Sequence, residues 1–149
     1  MAGTKPENTY IKRINKLIRG VYAEKMANPY RGGTPDVWYS GDEGDLWVEY
    51  KWLPATPTTR SKDVLPNLSE RQLKWLRDRH MEGRYVYVIV GCPDGGVIYG
   101  RRDWETPMDP VSFRAQLQPA ADIAAWIRSY TGDSRSCLLS STQSTPAGS

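Results

Sequence analysis

Asp36, Glu49 and Lys51 are the residues in this chain with the most chemistry to offer. They lie in Gly33-Thr34-Pro35-Asp36 and, thirteen residues on, Glu49-Tyr50-Lys51. Two short apolar runs adjoin them, Val37-Trp38-Tyr39 and Leu46-Trp47-Val48, with Gly41-Asp42-Glu43-Gly44-Asp45 between. Glycine and aspartate suit the left-handed backbone of tight turns, so the segment predicts a β-hairpin. Alternate residues of a strand share a face, so Glu49 and Lys51 project together and Asp36 faces them across the hairpin. Two carboxylates and an ammonium are costly in a core, but they suit a divalent cation and a phosphate. An all-oxygen ligand set favours Mg²⁺ or Mn²⁺.

The elements that must position this trio can be read in order. Ile11, Ile14, Leu17 and Ile18 recur at helical spacing, which predicts a first helix from about Lys5 to Arg19, with Gly20 just beyond its end. Residues 21–26 then read as a first strand, the alternative being one helix continuing to Met26. Glu7 lies in the first turn, where Thr4-Lys5-Pro6-Glu7 reads as a capping box. The glycine-containing loop ending at Thr34 leads to Asp36, and Arg31 within it is a candidate DNA contact. After Lys51 comes a Pro- and Thr-rich stretch, either a substrate flap or a long connection, in which Arg60 and Lys62 suit phosphate contact. Ser69-Glu70-Arg71-Gln72 opens a second helix, again as a capping box, and Gly83 ends it. Arg71, Lys74 and Arg77 on that helix are further phosphate contacts or a solvated face. Residues 85–90 form a near-continuous apolar strand suited to the middle of a sheet, followed by a turn and Val97-Ile98-Tyr99. A short helix from Asp109-Pro110 to about Gln118 and another from Ala120 to Tyr130 follow. From Gly132 the chain is Ser/Thr-rich and reads as a flexible tail.

Pro35-Asp36 with Glu49-Tyr50-Lys51 fits the signature of the PD-(D/E)xK nuclease superfamily. The fuller string, residues 31–36 with Trp47-Val48-Glu49-Tyr50-Lys51, resembles its VRR-NUC (virus-type replication-repair nuclease) branch. Leu68-Ser69-Glu70-Arg71-Gln72-Leu73-Lys74-Trp75 matches that family's LS-x-x-Q-x-x-W helix. The resemblance covers about residues 7–99. It implies an α/β fold, a restriction-endonuclease-like αβββαβ sandwich with additional C-terminal helices. It also implies a Mg²⁺-dependent DNA endonuclease in which Asp36, Glu49 and the Tyr50 carbonyl hold the metal and Lys51 is catalytic. Gln72 would lie at the active site, although a helix cap and a site role cannot both be fully served by one side chain. Glu7 matches an acid that these folds often carry on the first helix, with Glu24 as a rival. Stand-alone members are viral or bacterial and look like homodimers acting on branched DNA, such as a four-way junction.

Charge follows the same plan. Residues 1–31 carry +5, residues 32–59 carry −4, residues 60–84 carry +3 and the remainder −1, within a net +3. An acidic centre between basic flanks suits a metal site bordered by phosphate-binding surface. The 149 residues suit one domain, 1–131, followed by the tail at 132–149. Cys92 and Cys137 do not make a disulfide framework, and His80, the only histidine, cannot build a histidine metal site. No apolar run reaches membrane-spanning length and no signal peptide is visible, so the expectation is a soluble protein of a reducing cytoplasm, the host's if viral. Two rival classes are a non-catalytic DNA-binding module on a nuclease fold and a viral protein that binds a host protein.

Overall fold

A computed structural model describes residues 5–26 and 32–132. The first helix, α1, spans Pro6–Leu17, and its apolar stripe buries Tyr10, Ile11 and Ile14. Burying each such side chain contributes about 1.5–3 kcal/mol. The helix stops earlier than the expected Arg19. Ile18 is already extended, with φ −92 and ψ 129, and packs partly buried against the same core. Gly20 therefore lies in the connection to β1, Tyr22–Lys25, which excludes a continuous helix to Met26.

The hairpin forms as expected from β2, Val37–Gly41, and β3, Gly44–Trp52, in antiparallel register with Val37 level with Val48. The second helix, α2, Glu70–Met81, returns the chain to β4, Val86–Cys92, which lies parallel to β3. A turn then leads into β5, Gly95–Tyr99. The five-stranded sheet keeps chain order, β1 to β5, and only the β3–β4 pair is parallel. A parallel pair needs a crossover, and α2 supplies it. Helices α3, Pro110–Ala115, and α4, Ala120–Thr131, follow. The first of these ends short of Gln118, because Gln118 is drawn into a β-bridge with Gly96.

Strand alternation divides the core between the two faces of the sheet. Leu46, Val48, Tyr50 and Ile89 pack with α1 and α4 residues in one cluster. Val86, Val88, Val90 and Leu76 pack in the other, with Trp104 and Phe113. Strand β4 contributes to both, which accounts for its near-continuous apolar run. The stretch after Lys51 is tied down on either side of an exposed tip. Arg114 Nη1 donates to the Pro57 carbonyl at 2.9 Å, and Val64 bridges to Met108. Among the described residues no helix is long and apolar enough to cross a membrane. Arg31, Thr4 and the tail from residue 133 lie outside the described residues.

Candidate active site

The β3 alternation that buries Val48 and Tyr50 on one face turns Glu49 and Lys51 to the other, the α2 side. The hairpin register places Asp36, one step before Val37, level with Glu49. Asp36 Oδ2 accepts the Tyr50 N–H at 2.8 Å. That bond replaces a ladder bond that β2, beginning at Val37, does not extend far enough to make. The N–H of Trp47 points towards Tyr85 beyond β4, and that of Leu53 towards Gly91. By alternation, the Tyr50 N–H and carbonyl both face the β2 edge, on the Asp36 side.

Glu49 is 2% exposed. Its Oε2 accepts from Gln72 Nε2 at 2.8 Å and lies 3.3 Å from Lys51 Nζ. Lys51 Nζ also donates to Gln72 Oε1 at 3.4 Å. The Glu49 Oε1 is buried without a hydrogen-bond partner. Burial, with the Asp36 charge added, pushes the Glu49 carboxyl up to about 8 against the pull of Lys51. Asp36 is also raised by burial, offset by the Tyr50 N–H and the Lys51 charge. Glu7 is raised as well, first by burial and then by Asp36, while Lys51 and Lys25 lower it. These mutual effects place the Glu7 carboxylate in the same electrostatic neighbourhood as Asp36 and Glu49.

Two expectations are corrected. Lys5, not Thr4, is the N-cap of α1, which puts Glu7 at the second helical position rather than the third. The first capping box therefore does not describe this helix. The second box does form, yet it does not exclude Gln72 from the centre. Gln72 Oε1 accepts the Ser69 N–H at 3.0 Å, Ser69 Oγ accepts the Gln72 N–H at 3.1 Å, and Nε2 remains for Glu49. An amide has a two-lone-pair acceptor at one end and two donors at the other, so one side chain serves both roles.

The other residues fall into place less tightly. Glu24 accepts from the Tyr22 hydroxyl at 2.6 Å at an exposed edge. Arg60 and Lys62 stand on the exposed tip of the loop after β3. Lys74 pairs with Asp78 at 2.6 Å, and Arg77 with Glu105 at 3.1 Å, both on the outer surface of α2. Arg71 packs against the loop that carries Asp36. A Cβ on Gly33, whose φ is +100, would come within 2.5 Å of the Arg71 carbonyl, so only glycine allows this approach. Lys25 was not anticipated. Its Nζ donates to Asn8 Oδ1 at 2.7 Å, and its charge acts on both Glu7 and Asp36. Its signal was the β1–β2 register, which the long loop between those strands conceals.

Among the described residues no three His, Cys, Asp or Glu side chains form a ready-made metal cluster. The oxygens at hand are two carboxylates, the nearby Tyr50 carbonyl and the more distant Glu7. They nevertheless fit a hard divalent cation, because the bare Glu49 Oε1 is a buried acceptor short of a positive partner.

No family model matches the chain, and no curated protein matches it. In three dimensions it is similar to the 1.6 Å structure of Hjc, a Holliday junction resolvase from the archaeal hyperthermophile Archaeoglobus fulgidus. The TM-score is 0.51 and the identity 18%, over 83% of this chain and 99% of that one. At that identity the likeness is one of fold, and the chain has a mixed α/β, restriction-endonuclease-like fold.

Proposed function

We propose that this protein is a metal-dependent DNA endonuclease of the VRR-NUC type that hydrolyses phosphodiester bonds in branched DNA, working as a homodimer. The observation that carries the reading is Glu49, buried, with one oxygen held by Gln72 and Lys51, the other without a donor, and the Asp36 carboxyl beside it. A purely structural glutamate in this position would cost stability without return.

In this reading Asp36, Glu49 and the Tyr50 carbonyl hold Mg²⁺ or Mn²⁺, with Glu7 adding a carboxylate from α1. The metal would supply a water of lowered pKa and offset charge on the scissile phosphate. Gln72 fixes the Glu49 carboxylate through Oε2, which leaves Oε1 as the free ligand. Lys51, placed by Glu49 and Gln72, presents its ammonium to the charge that grows on the phosphate oxygens. Preorganised groups of that kind are most effective where water is scarce. Arg60, Lys62, Arg71 and Lys74 provide phosphate contacts, as would Arg31 outside the described residues, and the Lys74–Asp78 pair is exposed enough to open for a phosphate.

A four-way junction is the proposed substrate because the fold is that of a Holliday junction resolvase. The test is a cleavage panel of single-stranded, duplex, flap and four-way-junction DNA with Mg²⁺, with Mn²⁺ and with EDTA. The expected result is metal-dependent cutting that favours the junction. Uncut DNA under every metal condition would overturn the assignment.

A further inference from the structure

Where β4 begins, the sheet carries a cavity of ≈ 230 Å³, lined in part by His80, Arg84, Tyr85, Tyr87, Arg101 and Tyr130. Its lining contains two guanidiniums, three tyrosines and no carboxylate. The surface around it is otherwise one of settled charge. Arg102 is bidentate on Glu105, at 2.9 and 3.0 Å, and Arg79 pairs with Glu82 at 3.0 Å. Among the described residues neither Arg84 nor Arg101 makes an ion pair or a side-chain hydrogen bond, although the Arg101 charge acts on the Tyr87 hydroxyl.

The backbone is arranged to present Arg101. Arg101 and Arg102 are consecutive non-glycine residues at positive φ, 52° and 69°. That conformation is unfavourable for side chains bearing a Cβ, and such outliers concentrate where a site requires them. Glu105 locks the Arg102 side chain, so the turn leaves Arg101 directed to the cavity. A further donor is free. The Tyr87 hydroxyl donates to the Tyr130 oxygen at 2.8 Å, so the Tyr130 proton is left for another acceptor. Tyr85 is 51% exposed and offers its ring beside these donors.

A second hollow adjoins the cavity where β3 begins. This hollow, of ≈ 490 Å³, shares Gly83, Arg84 and Tyr85 with the cavity and reaches Trp47, with Asp45 as its one carboxylate. Trp47 stands on the same face of β3 as Glu49, two residues away. Glu49 is level with Val88, three residues or about 10 Å along the strand from Tyr85, whose ring is turned to the α4 face against Tyr130, so a strand joining the two passes over the edge of the sheet. A nucleic-acid strand carries one phosphate per roughly 3.4 Å of helix axis, so a few nucleotides bridge the gap.

We propose that this cavity is a second nucleic-acid site, in which Arg84 and Arg101 grip a backbone phosphate and Tyr85 stacks on an unpaired base. The proposal rests on the DNA reading above and extends it to the strand leaving the centre. Two planar guanidiniums match phosphate oxygens, and an exposed tyrosine is a sequence-tolerant stacking platform.

The test is equilibrium binding in EDTA of a labelled duplex bearing a single-stranded flap, over a range of salt. It needs no cleavage, so its outcome is separate from that of the nuclease assay on the unaltered protein. The Arg84→Gln/Arg101→Gln double variant should bind roughly tenfold more weakly. The slope of log K against log salt should become shallower by about 0.7–0.9, the share of one phosphate. Tyr85→Ala should keep the slope and lose roughly fivefold in affinity for the flap substrate, with no loss on blunt duplex. Lys12→Gln, on the exposed side of α1, removes a charge distant from the cavity and should retain both affinity and slope. A folded double variant whose affinity and slope equal those of Lys12→Gln would overturn the proposal, whether or not the protein cleaves DNA.

Discussion

Two glutamates in this fold each take donors from two other side chains, and they behave in opposite ways. Glu105, on the surface, is gripped by Arg77 and by Arg102, with both oxygens satisfied, and its carboxyl falls to about 2. Glu49, under α2, has Lys51 and Gln72 on one oxygen and nothing on the other, and its carboxyl rises to about 8. Partner number does not separate them. Burial does, together with the second carboxylate that Asp36 places nearby. The first arrangement is complete and ties the 3-10 turn at residues 103–105 to α2. The second gathers carboxylates in excess of its own cations, which is what the proposed divalent-ion site requires and a structural ion pair does not.

The largest effect expected from breaking the Glu49 arrangement is on chemistry. Lys51→Ala should reduce single-turnover cleavage by on the order of 10²–10³ or more, while DNA affinity changes little, because one cation among many supplies only a small part of phosphate attraction. Asp36→Ala should also stop cleavage, with partial rescue by excess Mn²⁺, and should tighten metal-free DNA binding by removing a repelling carboxylate. Affinity and cleavage measured together on one junction substrate check both. Equal loss of binding and cleavage in Lys51→Ala would remove it from the catalytic role.

A second consequence is a pH dependence of the metal-free protein. The Glu49 pKa rises from an ordinary 4.5 to about 8 on folding, so between these values the native state holds a proton that the unfolded chain releases. Stability from this group is therefore present below pH 4.5 and is lost as pH rises towards 8, by at most about 1.4 kcal/mol per pH unit. Mg²⁺ should reverse the loss, so the rise in Tm on adding it should grow from pH 5 to pH 8. In Glu49→Gln the metal-free protein should lose most of this slope and respond weakly to Mg²⁺. A magnesium-induced rise in Tm that is the same at pH 5 and pH 8 would contradict the assignment.

Gln72 sharpens the contrast, because it belongs both to the helix and to the centre. Ser69→Ala removes only the cap and should cost about 1 kcal/mol in stability, with cleavage preserved. Gln72→Glu keeps an acceptor for the Ser69 N–H but loses the donor to Glu49 and adds a negative charge beside it. Cleavage should fall by roughly tenfold or more while the helix remains capped. If Ser69→Ala and Gln72→Glu lose cleavage in equal measure, Gln72 acts only through the helix.

The hairpin and its trio were legible because strand alternation and turn residues are local signals. Val48 and Tyr50 alternate with Glu49 and Lys51, and that pattern sets Glu49 and the lysine on one face, while the hairpin register brings Asp36 level with Glu49. The end of α1 was less legible, since Ile18 fits the helical stripe but is used in extended form. The dual role of Gln72 depends on how closely α2 approaches β3, a tertiary distance. Lys25 and the Arg84–Arg101 cavity depend on strand register and on a turn at positive φ, neither of which leaves a short motif.

The smallest expected effect falls on Glu105, and it tests the other side of the comparison. Glu105→Gln removes two surface ion pairs, and its side chain is only partly shielded, so the cost at pH 7 should be about 1 kcal/mol or less. Here the sign is opposite to that for Glu49. The folded carboxyl lies below its ordinary value of 4.5, so its stabilisation is present above that pH and is lost as pH falls towards 2. Unaltered protein and Glu105→Gln should therefore differ slightly in urea midpoint at pH 7 and converge in acid. Raised salt should shrink the difference at pH 7, because exposed pairs are screened. Mg²⁺ should shift both proteins equally, since neither Arg77 nor Arg102 contacts the Asp36–Glu49 centre. A magnesium response that depends on Glu105 would show that the two glutamates are coupled through α2, and the division between a finished ion pair and a prepared metal site would then have to be redrawn.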